Sequence, residues 1–386
     1  AYPDSPWPSV LFAYYGSGTG MTFLPSAIEN NTFEDNDVGI GYEMDSDISY
    51  PADVIRDNSF EASSEYAVQV WGAYSTTVNA SGNWWGTSAP GGVGADVSPN
   101  VDYTPWLNGG ADTSPDPGFQ GDYSTLWVDD DSPQTGTAGR IQEAVNSVTG
   151  STIYVAGGTY SENVVIDKPL TLTGVNPPDG AGAARISGKA DDTPTIRIGA
   201  DGVTVSRLHV SNVGYGGEIE GIFVGDPRGY TDDPNKTIEI SSNIIDTISG
   251  TACTYATEGI HIKSYGGNQI DGVNIFDNVI KNVSQPDNGS CGIKLQADLD
   301  NVIVRGNIIS LIDGYWSYGV VATPSSDEPG FPKNVLIERN DFSQITASPD
   351  PNWATAVAVD TASGGEERGT VADASELTVH CNNFLS

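Results

Sequence analysis

One pattern recurs along this chain: an alternating apolar stretch, two polar residues, an asparagine, one further residue, then Ile or Phe. It reads "IEISSNII" at 238–245, "VNIFDNVI" at 273–280, "VIVRGNII" at 302–309, "VLIERNDF" at 335–342 and "LTVHCNNF" at 377–384. Earlier copies are "SAIENNTF" at 26–33 and "DVIRDNSF" at 53–60. The aligned asparagines are Asn31, Asn58, Asn243, Asn278, Asn307, Asn340 and Asn382. A second short stretch lies between copies: "EGIFVG", "EGIHIK", "CGIKLQ", "YGVVAT" and "TAVAVD" late in the chain, "VGIGYE" and "YAVQVW" early. Alternation over a few residues with Gly at the bends marks strand, not helix. Strands recurring at unequal intervals, with loops absorbing the difference, describe the coils of a β-solenoid. An Asn before each turn favours the bend and can stack on its equivalents as a hydrogen-bonded ladder. A β-sandwich with coincidental Asn turns is the competing fold, and copies this regular argue against it.

One helix is expected, "AGRIQEAVNSV" at 138–148, with Ile141, Ala144, Val145 and Val148 on one face. A run of strands follows it, "STIYVAGGTYSENVVIDKPLTLTGV" at 151–175.

The stretch "RIQEAVNSVTGSTIYVAGGTYSENVVIDKPLTLTG" resembles the opening of right-handed parallel β-helix proteins of the pectin-lyase-like superfamily. The resemblance implies that the short helix caps a first coil. The later Asn repeats are similar to the NosD-type β-helix repeats of secreted proteins, including archaeal surface proteins. "NASGNWWGTSAPGGVGADVSPNVDYTPWL" at 79–107 resembles the segment that closes such proteins after their last coil. The resemblance covers most of the chain and speaks to fold; this fold hosts many activities. The fold class expected is all-β, a right-handed parallel β-helix with one short capping α-helix.

The order of these parts is permuted. Residues 1–107 read as late coils plus the closing segment. Residues 108–125, rich in Gly, Pro and Asp, read as a linker. Residues 126–386 read as a helix-capped β-helix with an open end. Joining the end to the beginning restores the order cap, coils, closure. Each terminus is therefore expected to expose an uncapped coil, a template for strand pairing. Two such ends would stack head to tail, an open heterologous contact, or mark one period of a longer tandem protein. The expected assembly interface comprises Val10, Phe12, Ile28, Asn31 and Phe33 at one end. Trp353, Val357, Val379, Asn382 and Phe384 form the other.

Charge narrows the partners. Against 16 basic residues stand 51 acidic ones, a net charge of −35, which repels nucleic acid and anionic lipid. No apolar run is long enough for a membrane helix. The start at Ala1 fits a mature product with its leader removed, though an arbitrary cut would look the same, and a secreted, extracellular or cell-surface location is expected. Of three cysteines, Cys253 and Cys291 each precede an equivalent strand one coil apart, so a bridge between them is expected, with Cys381 spare.

Catalytic motifs are sparse. "GTYSE" at 158–162 matches an early motif of pectin methylesterases, but the motifs that follow it there are missing. His209, His261 and His380 are far apart in sequence, and basic residues are scattered over the coils. No cofactor is expected. Oxygen-rich loops make Asp45, Asp47, Asp129, Asp130, Asp232 and Asp233 weak calcium candidates, with solvated turns the plainer account. Sequons place glycosylation candidates at Asn30, Asn79, Asn235, Asn282 and Asn288. The leading expectation is a non-enzymatic structural protein that self-assembles head to tail into a surface filament, sheath or S-layer-like polymer. The alternatives are a carbohydrate-active enzyme, a polysaccharide lyase or hydrolase, and a carbohydrate-binding adhesive module.

Overall fold

The computed structural model describes residues 8–14, 27–44, 54–63, 65–71, 77–191, 193–225, 237–348, 353–360 and 376–385. The chain is an all-β parallel β-helix, and it divides into two compact units, Ala1–Gly158 and Thr159–Ser386. Among the described residues the helices are Pro90–Ala95 and Arg140–Ser147. None is long and apolar enough to cross a membrane.

In the second unit each coil contributes three strands to three parallel stacks. One coil runs Ile238–Ser241, Ile244–Thr251 and Thr257–Lys263. In the next two coils the second and third strands merge into Val279–Gln296 and Ile308–Thr323. Inward positions stay in register from coil to coil: Ile240 pairs with Ile275, Ile275 with Val304, Val304 with Ile337 and Ile337 with Val379. The first four of these are fully buried, so the alternation in the sequence is the core itself.

The bend before the second strand rests on two features of the repeat. The residue just ahead of each rung Asn adopts the left-handed conformation: Ser242 (φ 56°), Asp277 (φ 56°), Gly306 (φ 67°), Arg339 (φ 56°) and Cys381 (φ 54°). This conformation costs a non-Gly residue roughly 1–2 kcal/mol. The ladder offsets that cost. Each Asn donates from its backbone N–H and its Nδ2 to the Oδ1 of the next, Asn278 to Asn307 at 3.0 Å and 3.0 Å, Asn307 to Asn340 at 2.9 Å and 3.0 Å. Rungs 29 to 42 residues apart in sequence thereby hold one line in space.

Glycine fixes the third stack. A Cβ on Gly259 would lie 2.7 Å from the carbonyl oxygen of Gly292, and one on Gly292 2.6 Å from that of Gly319. The repeated shape "x-G-I/V" is thus a column of backbones too close for side chains, and the residue before each Gly is turned outward onto the same face.

The first unit repeats this plan. Pro8–Tyr14, Val38–Met44 and Tyr66–Trp71 form one parallel stack, and Ala27–Glu29 heads another with Val54–Arg56. Its ladder has a rung not expected from the repeat: Asn31 donates to Asn58, and Asn58 to Asn83. An aromatic column, Phe33, Phe60 and Trp85, stacks beside it at 4.9 Å steps.

The segment 108–125 differs from the expected linker. Its Phe119 is buried, the Asn30 amide donates to the Phe119 carbonyl at 3.0 Å, and the Tyr123 hydroxyl donates to the Gly82 carbonyl at 3.0 Å. Beyond it, Thr125–Val128 pairs antiparallel with Trp106–Leu107 and parallel with Thr152–Val155. These bonds tie the expected cap helix, Arg140–Ser147, and its strands to the first unit, so the boundary falls after Gly158 rather than near residue 126.

Candidate functional site

The assembly residues divide unevenly. Trp353, Val379 and Phe384 are exposed, Phe384 at 58%, and Val357 is half-buried. Phe384 stacks on Phe342 with its other face free of any ring among the described residues. At the opposite end Ile28 and Phe33 are buried, 8% and 7% exposed, and Val10 and Phe12 pack against the first unit's core. That end is therefore not the bare apolar face expected. The ladder termini are complementary: the Asn382 backbone N–H has no acceptor and the Asn31 Oδ1 no donor among the described residues.

The expected bridge does not form; Cys253, Cys291 and Cys381 are all free. Cys291 lies within a strand, in register with Glu258 and Tyr318. Cys253 lies upstream of that register, in the loop ahead of Thr257–Lys263, with its sulfur 3.7 Å from the Thr251 carbonyl. Spacing from strand to strand had aligned the wrong part of the coil.

Of the calcium candidates, Asp45, Asp47, Asp232 and Asp233 lie outside the described residues, as does the sequon residue Asn235. Asp129 is buried and accepts from the Asp131 amide; neither it nor Asp130 joins a metal-ligating group among the described residues. The other sequon residues are engaged locally: Asn30 with Phe119, Asn79 with Ser81, Asn282 with Asp246 and Asn288 with Thr254.

A site that sequence reading passed over lies on the outward face of the glycine column. Stacking "EGIFVG", "EGIHIK", "CGIKLQ" and "YGVVAT" in register places Glu220, Glu258, Cys291 and Tyr318 in one row, and Phe223, His261, Lys294 and Val321 in the next. The Lys294 ammonium sits 2.9 Å from Glu258 and 3.1 Å from Glu218. His261 Nδ1 lies 2.8 Å from Glu220, and its Nε2 lies 3.1 Å from the Gln296 Oε1. Gln296 Nε2 donates to the Pro324 carbonyl, which turns its Oε1 toward the imidazole. His261 then carries its proton on Nε2, leaving the Nδ1 lone pair facing Glu220.

Burial governs the ionisation here. It pushes Glu258 up to about 7, with the Glu218 charge adding to the rise and Lys294 opposing it. Burial also raises Glu220 well above the usual range, with the neighbouring Glu218 and Glu258 charges in support. His261 is pushed down to about 3 by burial and by the Lys294 charge, so the imidazole is neutral. For Lys294 burial works against the charge, but Glu258 and Glu218 outweigh it and hold the ammonium protonated. The Cys291 thiol is raised well above its usual value by burial.

Beside this cluster opens a cleft of about 600 Å³. Glu218, Lys294 and Gln296 form its polar floor, with Asp360 at the edge. Its walls are aromatic: Tyr255, Tyr315, Trp316, Tyr318 and Trp353. Trp353 is 63% exposed and Tyr255 60%. Trp316 lies flat over Gly289, whose missing Cβ makes room for the ring, and tilts against Tyr318 at 5.4 Å. Tyr318 donates to Asp360. A cleft of this size, apolar-walled with few polar groups converging, is the form of a small-ligand site.

Fold and site together define the class: a parallel β-helix protein with an aromatic, acid-floored cleft on one face. No protein-family model matches the chain, and neither a curated protein nor a solved structure does.

Proposed function

We propose that this chain binds a neutral oligosaccharide in the aromatic cleft of its second unit. The observation that carries the reading is the set of large rings left in solvent, Tyr255, Tyr315 and Trp353, around a polar floor. A pyranose offers an apolar face for an aromatic ring and hydroxyls for polar groups, and the partly exposed Glu218 carboxylate, held by Lys294 at 3.1 Å, lines the cleft on that side. The net charge of −35 disfavours polyuronates and points to uncharged sugars. Calorimetric titration of the intact chain with neutral, amino and acidic oligosaccharides tests this. Neutral glycans are expected to bind, and Trp353→Ala or Tyr255→Ala to weaken them about tenfold. Unchanged affinity in both variants, or no glycan binding, would refute it.

A second reading rests on the ladder. Its donor end at Asn382 and acceptor end at Asn31 fit a solenoid continued by another coil of the same pattern, within a longer chain or from a second copy. Repeated between copies this makes a filament, sheath or S-layer-like polymer at a cell surface, built by a secreted member of the pectin-lyase-like β-helix proteins with NosD-type repeats. Burial of Ile28 and Phe33 makes this the weaker reading. Electron microscopy of concentrated protein, with Val379→Asp as the blocked form, tests it; a monomer at every concentration would count against copy-to-copy stacking.

A further inference from the structure

We propose that Glu218, Glu220, Glu258 and His261 form a site for one divalent transition-metal ion, probed here as Zn²⁺, and that the Lys294 ammonium occupies that site in its absence. This requires no sugar, although Glu218 and Lys294 also line the cleft. One ligand atom from each of the four residues lies within 4.8 Å of the others, and no other group of this kind occurs among the described residues. The residues come from adjacent coils held in register, Glu220 opposite Glu258 and His261 opposite Lys294.

Independent of the acidic cluster, one atom points to a missing partner. Glu258 is fully buried, and among the described residues its Oε2 has no hydrogen-bond partner. Such an atom costs free energy unless something else meets it. Lys294 meets only Oε1.

The donor set selects the ion. Calcium favours a shell of six to eight oxygens, whereas this group brings an imidazole nitrogen to the ion. Three carboxylates and an imidazole nitrogen suit a four-coordinate ion at about 2.0–2.2 Å. Gln296 supplies the outer support by accepting from His261 Nε2 and so aiming the Nδ1 lone pair inward. The ligand atoms would draw together by about an ångström. Lys294, which lines the cleft, would turn its ammonium outward into it.

The test is calorimetric titration of Zn²⁺ into the intact chain after chelator treatment. It is done in a Cys381→Ser background, because Cys381 and His380 lie 3.3 Å apart at the surface and could take zinc themselves. One ion per chain is expected. Glu258→Gln and His261→Asn should each weaken it about tenfold or more, and Lys294→Met should tighten it about tenfold by removing the competing cation. Mg²⁺ and Ca²⁺ should bind about a hundredfold more weakly. If His261→Asn fails to fold by circular dichroism, Glu258→Gln decides. No stoichiometric zinc in either the parent or Lys294→Met would overturn the proposal. So would zinc binding that Glu258→Gln leaves unchanged.

Discussion

Replacing Asn307 by Ala removes one rung from the middle of the ladder. Asn307 is fully buried. Its Oδ1 accepts from the Asn278 backbone N–H and Nδ2, both at 3.0 Å. Its Nδ2 donates to the Ile275 carbonyl at 2.9 Å and to Asn340 Oδ1 at 3.0 Å. Alanine leaves the buried Asn278 N–H and the Ile275 and Arg305 carbonyls without these partners, while Asn278 Nδ2 keeps its bond to the Ile240 carbonyl at 2.8 Å. At about 1–3 kcal/mol for each stranded buried group, partly relieved by relaxation, the expected loss is roughly 3–5 kcal/mol. Much of a domain's stability is of this size. The left-handed residue ahead of the rung, Gly306, would also lose its anchor, so the bend should loosen with the ladder. Asn307→Asp should be no milder: it keeps the acceptor but loses both donors and sets a carboxylate against Asn340 Oδ1 and the Ile275 carbonyl. The control is Asn383→Ala, one residue past a rung, an exposed residue whose amide donates to the Asp341 carboxylate at 2.6 Å. It should cost under about 1 kcal/mol. Denaturant unfolding followed by circular dichroism, with hydrogen exchange at the Asn278 amide, measures both. Equal losses in the two variants would refute the view that the ladder, rather than the apolar core alone, holds the bends.

Three further outcomes follow from other parts of the structure. Gly292→Ala drives a Cβ to 2.6 Å from the Gly319 carbonyl, and thermal melts should show a loss of about 2 kcal/mol or more, against under 1 kcal/mol for the open position Gly109→Ala. Glu258 is raised from 4.5 to about 7, so its contribution to stability is present below pH 4.5 and is lost as the pH rises through 7. In chelator-treated protein, parent relative to Glu258→Gln should lose about 3 kcal/mol across that window, and parallel curves would sink the assignment. A thiol reagent should label exposed Cys381 at once and reach buried Cys253 and Cys291 only on unfolding; three rapid labels would contradict the burial.

Much of the fold was legible in the sequence because a solenoid writes its core locally. Each coil repeats the same inward alternation, so "VIVRGNII" and "VLIERNDF" declare Val304 and Ile337 as core before any contact is known. The ladder was legible for the same reason, except at Asn83, where "GNWWG" lacks the alternating lead-in that marks the other rungs.

What the tertiary structure alone decided faces outward. Glu220, Glu258, His261 and Lys294 lie in strands recognised as repeats, but their meeting depends on the register between coils of unequal length. Lining up the residues around each "x-G-I" would have brought Glu220 onto Glu258 and His261 beside Lys294; the signal was in the sequence once the glycines were taken as the alignment point. The cleft was not. Tyr255 and Trp353 stand outside the strands, and only the fold brings them to one wall. The same holds for Cys253, a loop residue that spacing had set beside Cys291, and for Ile28 and Phe33, whose burial the repeat did not foretell. A side chain's inward direction is fixed by its strand's own period, whereas its neighbours on the outer face are fixed by how coils and loops of different length stack upon one another.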